Sequence, residues 1–290
     1  MVKVFIGTDQ EFYLDGYLKQ NLDIAKDVIK KDWDMIFAVD GAEGSGKSVM
    51  AMCMGKYCDP TLTVDRVVFT AKEFRTAIID AGQYQTVIYD EAYTGLSSRA
   101  AMSLINRTLV SVLAEIRQKN LFIFVVMPCF FDLDKYVALW RSRALIHVYT
   151  SENFERGRFA FYNMDKKKAL FVNGKKYYTY AKPRPNFIGR FTNHYPVDQE
   201  AYKKKKRESL TKREEAREKK EMEAEVEEAL FNKIMELGDG IKHTVKMKLL
   251  SMPASTYYQR LKKWKEEEEE NAMEAEEIEK LSDIAGYTAK

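Results

Sequence analysis

The chain has 290 residues, which suits one domain of ordinary size plus an appendage, and its 46% hydrophobic content supports a real core. The net charge is only +3, and the three cysteines, Cys53, Cys58 and Cys129, fit no disulfide or metal spacing. The longest apolar run, 121–131, is interrupted by Pro128 and is too short for a membrane span. No secretory signal begins the chain, so we expect a cytoplasmic protein that does not enter a membrane.

An amphipathic helix and a buried strand are predicted first. The helix follows from apolar residues at helical spacing, with charged residues between them: Leu18, Leu22, Ala25 and Ile29. Tyr13 and Tyr17 could stack on a nucleotide base, or they could be ordinary half-buried aromatic residues. The run from Asp34 to Val39 is short and apolar, as in a strand that is buried in a parallel sheet.

A glycine-rich loop follows that strand and fits the phosphate-binding pattern G-x-x-x-x-G-K-[ST]. Its predicted nucleotide-binding residues are Gly41, Ala42, Glu43, Gly44, Ser45, Gly46, Lys47, Ser48 and Val49. Glycines let backbone N–H groups wrap a phosphate chain. Lys47 can reach the β- and γ-phosphates, and the Ser48 hydroxyl can ligate Mg²⁺. A helix predicted over 48–56 would point its positive end at the phosphates. The alternative is a glycine-rich turn that binds no ligand.

Strands and helices then alternate. A strand is predicted at 66–70, a helix at 71–81, and a strand at 86–89 that ends in Asp90 and Glu91. Asp90 would hold Mg²⁺ through a water, and Glu91 would polarise the water that attacks the γ-phosphate. Alternatively, the two are simply acidic residues at a strand end.

Further elements complete the predicted sheet. They are a helix at 97–119, a strand at 121–127, a short helix at 132–143 and a strand at 145–149. Such alternation predicts a doubly wound, mainly parallel α/β sheet. Three short strands at 156–181, with a hairpin turn at Asn173-Gly174, predict a small antiparallel β meander that completes a domain over 1–195. The cations and aromatic residues of the meander suit either a nucleic acid strand or a solvated hairpin.

The remainder of the chain predicts a separate all-α module. A charged helical linker covers 196–224, the module covers 225–265, and an acidic tail covers 266–290. A packing stripe is expected on the first helix of the module, from Val226, Leu230, Ile234 and Leu237. A helix at 244–250, a tight turn at Ser251-Met252 and a second helix from Pro253 then resemble a helix-turn-helix, with Tyr257, Leu261 and Trp264 facing inward.

The second helix of this pattern carries the predicted DNA contacts. Ser255, Tyr258 and Gln259 would meet base edges, together with Ala254. Phosphates would be met by Arg260, Lys262 and Lys263. The alternative is a helical hairpin that contacts another protein.

The loop, the Asp90-Glu91 pair and the order of elements over 34–149 resemble P-loop ATPases of the additional-strand, catalytic-glutamate division, with Walker A and Walker B positions at the loop and the pair. That division contains AAA+ proteins, RecA-like and FtsK/HerA-like motors, and viral packaging ATPases. The resemblance implies ATP and Mg²⁺ as cofactors, with Lys47 and Glu91 as catalytic residues. Its members often carry a polar sensor residue after the fourth strand, where this chain has 126–129, V-M-P-C, and Asn106 could supply that role instead.

The same resemblance implies a homo-oligomeric ring with an arginine finger that acts on the neighbouring subunit. Arg141 and Arg143 precede the fifth strand, where such a finger emerges. Alternatively, they are surface arginines or partners of Asp132 and Asp134.

We therefore expect an ATP-hydrolysing motor on double-stranded DNA, working as a ring that packages or moves a viral or mobile-element genome. A portal or capsid protein would then be a partner, and the location would be the cytoplasm of the host. The alternative is an ATP-switched DNA-binding regulatory or loading factor. A third reading, a nucleotide-dependent scaffold with little hydrolysis, is disfavoured by the intact Asp90-Glu91 pair.

Overall fold

A computed structural model of the chain describes residues 2–6, 10–90, 107, 110–111, 119–237 and 240–287. Glu91, Asn106 and most of the helix predicted at 97–119 lie outside the described residues. The chain divides into two compact units, Met1–Leu210 and Thr211–Lys290. Each unit is described by itself below.

The strands of the first unit are β1 (Val2–Ile6), β2 (Gln10–Leu14), β3 (Met35–Asp40), β4 (Val67–Val68), β5 (Thr86–Tyr89), β6 (Phe122–Met127), β7 (Ser142–Tyr149), β8 (Arg158–Tyr162) and β9 (Phe187–Arg190). Its described helices are α1 (Gly16–Ile29), α2 (Lys47–Cys58), α3 (Ala71–Asp80) and α4 (Met164–Gly174). Helix α5 (Gln199–Glu236) begins in this unit and ends in the next.

Seven of these strands form one sheet, in the order β4-β5-β6-β3-β7-β8-β9. The first five are parallel to their neighbours, and the last two are antiparallel. The predicted α/β fold with a mainly parallel sheet is therefore confirmed. Strands β1 and β2 pair with each other as a separate antiparallel hairpin, which the sequence analysis did not predict.

Both faces of the sheet are covered by helices. In β3, Phe37 and Val39 point into a core that includes residues of α1 and α2. Ile36 and Ala38, which alternate with them, point into a second core with residues of α3 and α4. Because side chains alternate along a strand, an apolar strand such as β3 must be buried on both faces. This arrangement leaves the carboxyl end of β3, where the glycine-rich loop begins, at an edge of the sheet.

The helix ends follow from local hydrogen bonds. Asp15 caps α1 through its side chain, which accepts from the backbone N–H of Tyr17 and Leu18. Thr70 and Glu73 form a reciprocal capping box at the start of α3. The buried face of α1 consists of the four residues predicted from spacing, Leu18, Leu22, Ala25 and Ile29.

The predicted β meander is wrong in its second and third strands. Residues 164–174 form helix α4, so Asn173-Gly174 is not a hairpin turn. The side chain of Asn163 starts this helix by accepting from the backbone N–H of Lys166. The segment 175–181 contains no described strand, and β9 pairs with β8 in its place. Helical side-chain periodicity and the Asn163 cap outweigh the local β propensity of this segment. The helix predicted at 132–143 is shorter in the structure: 130–132 form a 3₁₀ turn, 135–141 form an α turn that continues as a π turn, and 142–143 already belong to β7.

The second unit contains the rest of α5, then α6 (His243–Leu249) and α7 (Ala254–Tyr287). Its core is formed by the buried residues Phe231, Ile234, Met235, Leu250, Met252, Tyr257 and Leu261. The helix, turn and helix lie where the sequence predicts them, with Met252 filling the corner and Ser251 in the left-handed region at φ +50°. Residues 266–287 continue α7, so the acidic segment is not separated from that helix.

The packing stripe predicted on α5 is mostly wrong. Ile234 is buried, but Val226, Leu230 and Leu237 are exposed. The buried face is instead Phe231, Ile234 and Met235. These residues also recur at helical spacing, and Phe231 contacts the ring of Tyr257. The face of α5 that packs against the rest of the second unit is therefore not the one that begins at Val226.

Candidate functional site

The glycine-rich loop, Gly41–Ser48, joins the carboxyl end of β3 to the first turn of α2. Gly41, Gly44 and Gly46 have φ values of +141°, +75° and +100°, which L side chains rarely adopt. A Cβ on Gly41 would lie 1.9 Å from the carbonyl oxygen of Val148. The loop therefore follows a path that requires glycine, and it ends at the N-terminus of a buried helix.

Lys47 lies across the loop. Its ammonium donates to the carbonyl oxygens of Gly41, at 2.8 Å, and Ala42, at 2.7 Å. Burial lowers the pKa of Lys47, while the nearby carboxylates of Asp90 and Asp40 act in the opposite direction. The hydroxyl of Ser45 is buried in the same loop and has no hydrogen-bond partner among the described residues. The loop thus holds a cation and an unsatisfied hydroxyl together.

Asp90 follows β5 and is almost completely buried, at 1% exposure. Its Oδ1 accepts from the Ser48 hydroxyl at 3.0 Å, and its Oδ2 accepts from the Tyr202 hydroxyl at 2.6 Å. Burial, and then the charge of Asp90, raise the pKa of Tyr202 far above its usual range, so Tyr202 is a neutral donor. The predicted metal residues Ser48 and Asp90 are therefore in contact, and Glu91 is outside the described residues.

A second buried carboxylate, Asp40, ends β3 immediately before the loop. Its Oδ2 accepts from the backbone N–H of Phe130 at 2.9 Å and from the hydroxyl of Tyr180, while Oδ1 lies 3.0 Å from Nδ1 of His147. The ring of His147 stacks on that of Tyr180 at 3.9 Å between centroids. These contacts join the carboxyl ends of β3, β6 and β7, and they fix the residue from which the loop departs.

The outer side of the loop is contacted by the segments around β8 and β9. The ring of Phe191 lies 3.0 Å from where a Cβ on Gly46 would be, and the guanidinium of Arg156 lies 3.7 Å from the corresponding point on Gly44. Phe191 is held by a backbone hydrogen bond to Gly157 at 2.9 Å. An aromatic ring and a cation therefore lie against the loop.

Sequence reasoning missed several contributors to this site: Asp40, His147, Arg156, Tyr180, Phe191 and Tyr202. Their partners are far away along the chain: Asp90 and Tyr202 are 112 positions apart, and Asp40 and Tyr180 are 140 positions apart. For Tyr202, the only feature of the sequence nearby is the run of cations at 203–207 that follows it. Nothing in that run indicates which residue Tyr202 contacts.

The structure places Arg141 and Arg143 at the amino end of β7, away from the loop. Arg141 donates to Asp34, which precedes β3, and is largely buried. The guanidinium of Arg143 lies 4.6 Å from the ring centroid of Trp33. Since β3 and β7 are parallel, both arginines lie at the opposite end of the sheet, about 20 Å from the loop for a six-residue strand. They are not brought to the loop of their own chain, and action on a neighbouring subunit stays a prediction.

In the second unit, the predicted DNA contacts lie on the first turns of α7. Ser255, Tyr258 and Gln259 are exposed. The three cations form ion pairs with glutamates: Arg260 with Glu227 at 3.1 Å, Lys262 with Glu266 at 3.6 Å, and Lys263 with Glu267 at 2.9 Å. Exposed pairs of this kind contribute little to stability and can be exchanged for other anions.

No protein-family model matches this chain, and no curated protein matches it. No helix in the described part of the chain is both long and apolar enough to cross a membrane. Within the same residues, no three His, Cys, Asp or Glu side chains gather into a group that could hold a metal ion. A nucleotide-bound Mg²⁺ takes only one or two protein oxygens in addition to phosphates and waters, so the Ser48 and Asp90 oxygens are a donor set of the right kind.

Proposed function

We propose that this protein is a Mg²⁺-dependent ATPase that acts on double-stranded DNA. The observation that carries the proposal is the 3.0 Å contact between Ser48 and Asp90, beside a loop of left-handed glycines and the amine of Lys47. Glycine-rich loops at the carboxyl edge of a parallel sheet, followed by a helix N-terminus, bind phosphates through backbone N–H groups. The unsatisfied hydroxyl of Ser45 adds a donor that a phosphate oxygen would satisfy.

The strand order supports the additional-strand ATPase reading. Strand β6 lies between β3, which precedes the loop, and β5, which precedes Asp90. When bound, Mg²⁺ would neutralise charge on the phosphoryl oxygens. Ser48 and Asp90 would hold it, and Lys47 would leave the carbonyl oxygens of the loop to bind the phosphates. Glu91, next to Asp90, would accept a proton from the water that attacks the γ-phosphorus, with ADP and phosphate as products.

Alanine variants of two lysines on helix α2, Lys47 and Lys56, test nucleotide binding. Lys47→Ala should weaken binding of a fluorescent ATP analogue by at least an order of magnitude, because it removes a charged phosphate contact. Lys56→Ala is the matched control, since Lys56 lies on the same helix and donates to the carbonyl oxygen of Leu62. Equal binding by Lys47→Ala and wild type would overturn the proposal.

Hydrolysis is tested at Glu91. Glu91→Gln should retain ATP binding and lower turnover by roughly two or more orders of magnitude, as expected for loss of a positioned base. Phosphate release by Glu91→Gln at the wild-type rate would show that this residue is not the base.

For DNA, the supporting observation is charge. The segment 242–265 carries lysines and one arginine but no acidic residue, and it includes exposed residues of the first turns of α7. We expect the full chain to bind duplex DNA with a strong salt dependence. Arg260→Ala with Lys262→Ala should weaken binding to every sequence. Lack of binding at low salt would refute this part of the proposal.

The exposed uncharged residues Ser255, Tyr258 and Gln259 favour a second candidate, the ATP-switched DNA-binding regulatory or loading factor. A regulator would select one sequence, and Gln259→Ala would then reduce that selectivity. A motor would show ATPase activity stimulated by duplex DNA of any sequence. The motor proposal includes three further points: the protein packages or moves a viral or mobile-element genome, it has a portal or capsid protein as a partner, and it is located in the host cytoplasm.

Ring assembly is tested by mixing two inactive proteins. Glu91→Gln and an alanine variant of Arg141 or Arg143 should regain partial activity together, since some interfaces would pair an intact Glu91 with an intact arginine. Mixed oligomers without activity would exclude the arginine finger. Because Arg141 is paired with Asp34, its variant must first be checked for an unchanged unfolding transition.

A further inference from the structure

Helix α5 contributes Tyr202 to the pair formed by Ser48 and Asp90. The Tyr202 hydroxyl donates to Asp90 Oδ2 at 2.6 Å, while Ser48 donates to Oδ1 at 3.0 Å. Tyr202 is 4% exposed and Asp90 is 1% exposed. A buried carboxylate that accepts from two hydroxyls on opposite oxygens cannot rotate about its side-chain bond without losing one of them.

The start of α5 is held in place by further contacts. Lys205, one turn beyond Tyr202, donates to the backbone carbonyl oxygens of Val64 at 3.0 Å, Asp65 at 3.0 Å and Val67 at 2.8 Å. The ring of Tyr202 packs 5.9 Å from that of Phe69 and 5.8 Å from that of Tyr195. The Tyr202 hydroxyl is therefore positioned by packing and by an anchored helix.

We infer that Tyr202 is a positioning residue for the metal: its hydroxyl turns Asp90 so that Oδ1 faces Ser48, where the proposed Mg²⁺ would bind. This inference rests on the proposed function. The Tyr202 hydroxyl supplies a charge-assisted hydrogen bond to Oδ2 of this buried anion, while Oδ1 accepts from Ser48, and Ser48 and Asp90 would hold the metal. Because the Tyr202 hydroxyl donates to Asp90, we expect its influence on metal binding to pass through that carboxylate.

Tyr202→Phe in the full chain separates this role from packing, because the ring remains. Binding of a fluorescent ATP analogue in EDTA should match wild type within about twofold. Mg²⁺ should increase the affinity for the analogue, and a titration gives the Mg²⁺ concentration at which half of this increase is reached. In Tyr202→Phe that concentration should be roughly tenfold higher than in wild type, because a hydrogen bond to a charged group is lost. Tyr195→Phe is the matched control, since its ring is a neighbour of Tyr202, and it should behave as wild type.

A second variant tests the same parameter without touching Asp90. Lys205→Met loosens the start of α5 and should raise the Mg²⁺ requirement in the same direction, by a smaller factor. An unchanged Mg²⁺ requirement in Tyr202→Phe, or an equal loss of affinity in EDTA and in Mg²⁺, would overturn the inference. Normal nucleotide binding by Lys47→Ala would instead count against the proposed function, so the two failures are distinguishable.

Discussion

Lys167 is a lysine without exposed surface, on helix α4. Its amine donates to the carbonyl oxygens of Ala138 and Leu139, which lie within the π turn Val137–Arg141. Burial, with smaller contributions from Lys168 and Arg143, lowers its pKa to about 7. In the unfolded chain the pKa returns to its ordinary value of 10.5, so the unfolded state binds more protons than the native state between about pH 7 and pH 10.5. Lys167 therefore makes the free energy of unfolding rise with pH in that window, and it lowers this free energy most at pH values below the window.

Replacing this lysine should remove that pH dependence. The stability of Lys167→Met relative to wild type should be greatest near pH 6 and should fall by roughly 3 kcal/mol by pH 9, since pH 9 lies about two units above the native pKa and each unit corresponds to about 1.4 kcal/mol. Urea unfolding at several pH values measures the difference. Lys168→Met is the comparison variant: its half-buried amine lies over the ring of Trp140, and the variant should keep most of the pH dependence, because Lys168 contributes less than burial to the lowered pKa of Lys167. Parallel stability curves for wild type and Lys167→Met would contradict the assignment.

Helix α4 gives a test at the scale of the element, because it occupies residues whose sequence predicts a hairpin. The Asn163 side chain accepts from the backbone N–H of Lys166, so Asn163→Ala should lower the free energy of unfolding by about 1 kcal/mol. Asn173 is exposed near the end of the same helix, and Asn173→Ala should be neutral or slightly stabilising, because alanine is the better helix former. If these residues formed a hairpin, Asn173→Ala would instead be the more destabilising variant, because the turn needs Asn173. Urea denaturation of the two variants distinguishes the alternatives.

Elements with strong local signals could be predicted from the sequence. The bounds of β5 are those predicted, and α1 buries the four residues that its spacing indicated. The errors occur where local propensity and tertiary packing disagree. Residues 164–174 have aliphatic and aromatic residues that suit a strand, but burial of Leu170 and Phe171 on one helical face decides the structure. The stripe beginning at Val226 failed for a similar reason, since only the position of Tyr257 shows which face of α5 is covered.

The candidate site was predictable only in part. The glycine-rich loop and Asp90 belong to a recognisable motif, and the structure brings Ser48 and Asp90 into contact. Tyr202 and Tyr180 hold the two buried carboxylates from segments that carry no motif. Contacts across more than a hundred residues depend on the whole fold, so a single sequence gives no indication of them.

At the scale of the whole molecule, the division between the two compact units falls after Leu210, inside α5. Among the described residues, Tyr202 is the last along the chain to enter either core of the first unit. A chain that ends at residue 210 should therefore keep the urea midpoint of the sheet unit. A chain that ends at residue 198 should unfold at lower urea, because it loses the ring of Tyr202 and the three carbonyl contacts of Lys205. Equal midpoints for the two truncated chains would show that α5 does not stabilise this unit.

The positions of the three cysteines suit the native chain to thiol-specific labelling at a single residue. Cys53 and Cys58 are buried, and burial raises the pKa of both, that of Cys53 to about 12, so neither forms the reactive thiolate near neutral pH. Cys129, just after β6, is half-buried, and its sulfur lies 4.0 Å from the Tyr180 hydroxyl that binds Asp40. Burial raises the pKa of Cys129 as well, so its partial exposure is what distinguishes it from the other two thiols. A maleimide dye should therefore attach first to Cys129, which follows Pro128, whose carbonyl oxygen accepts from the backbone N–H of Gly41. The native chain can thus be labelled near the start of the glycine-rich loop without an engineered cysteine.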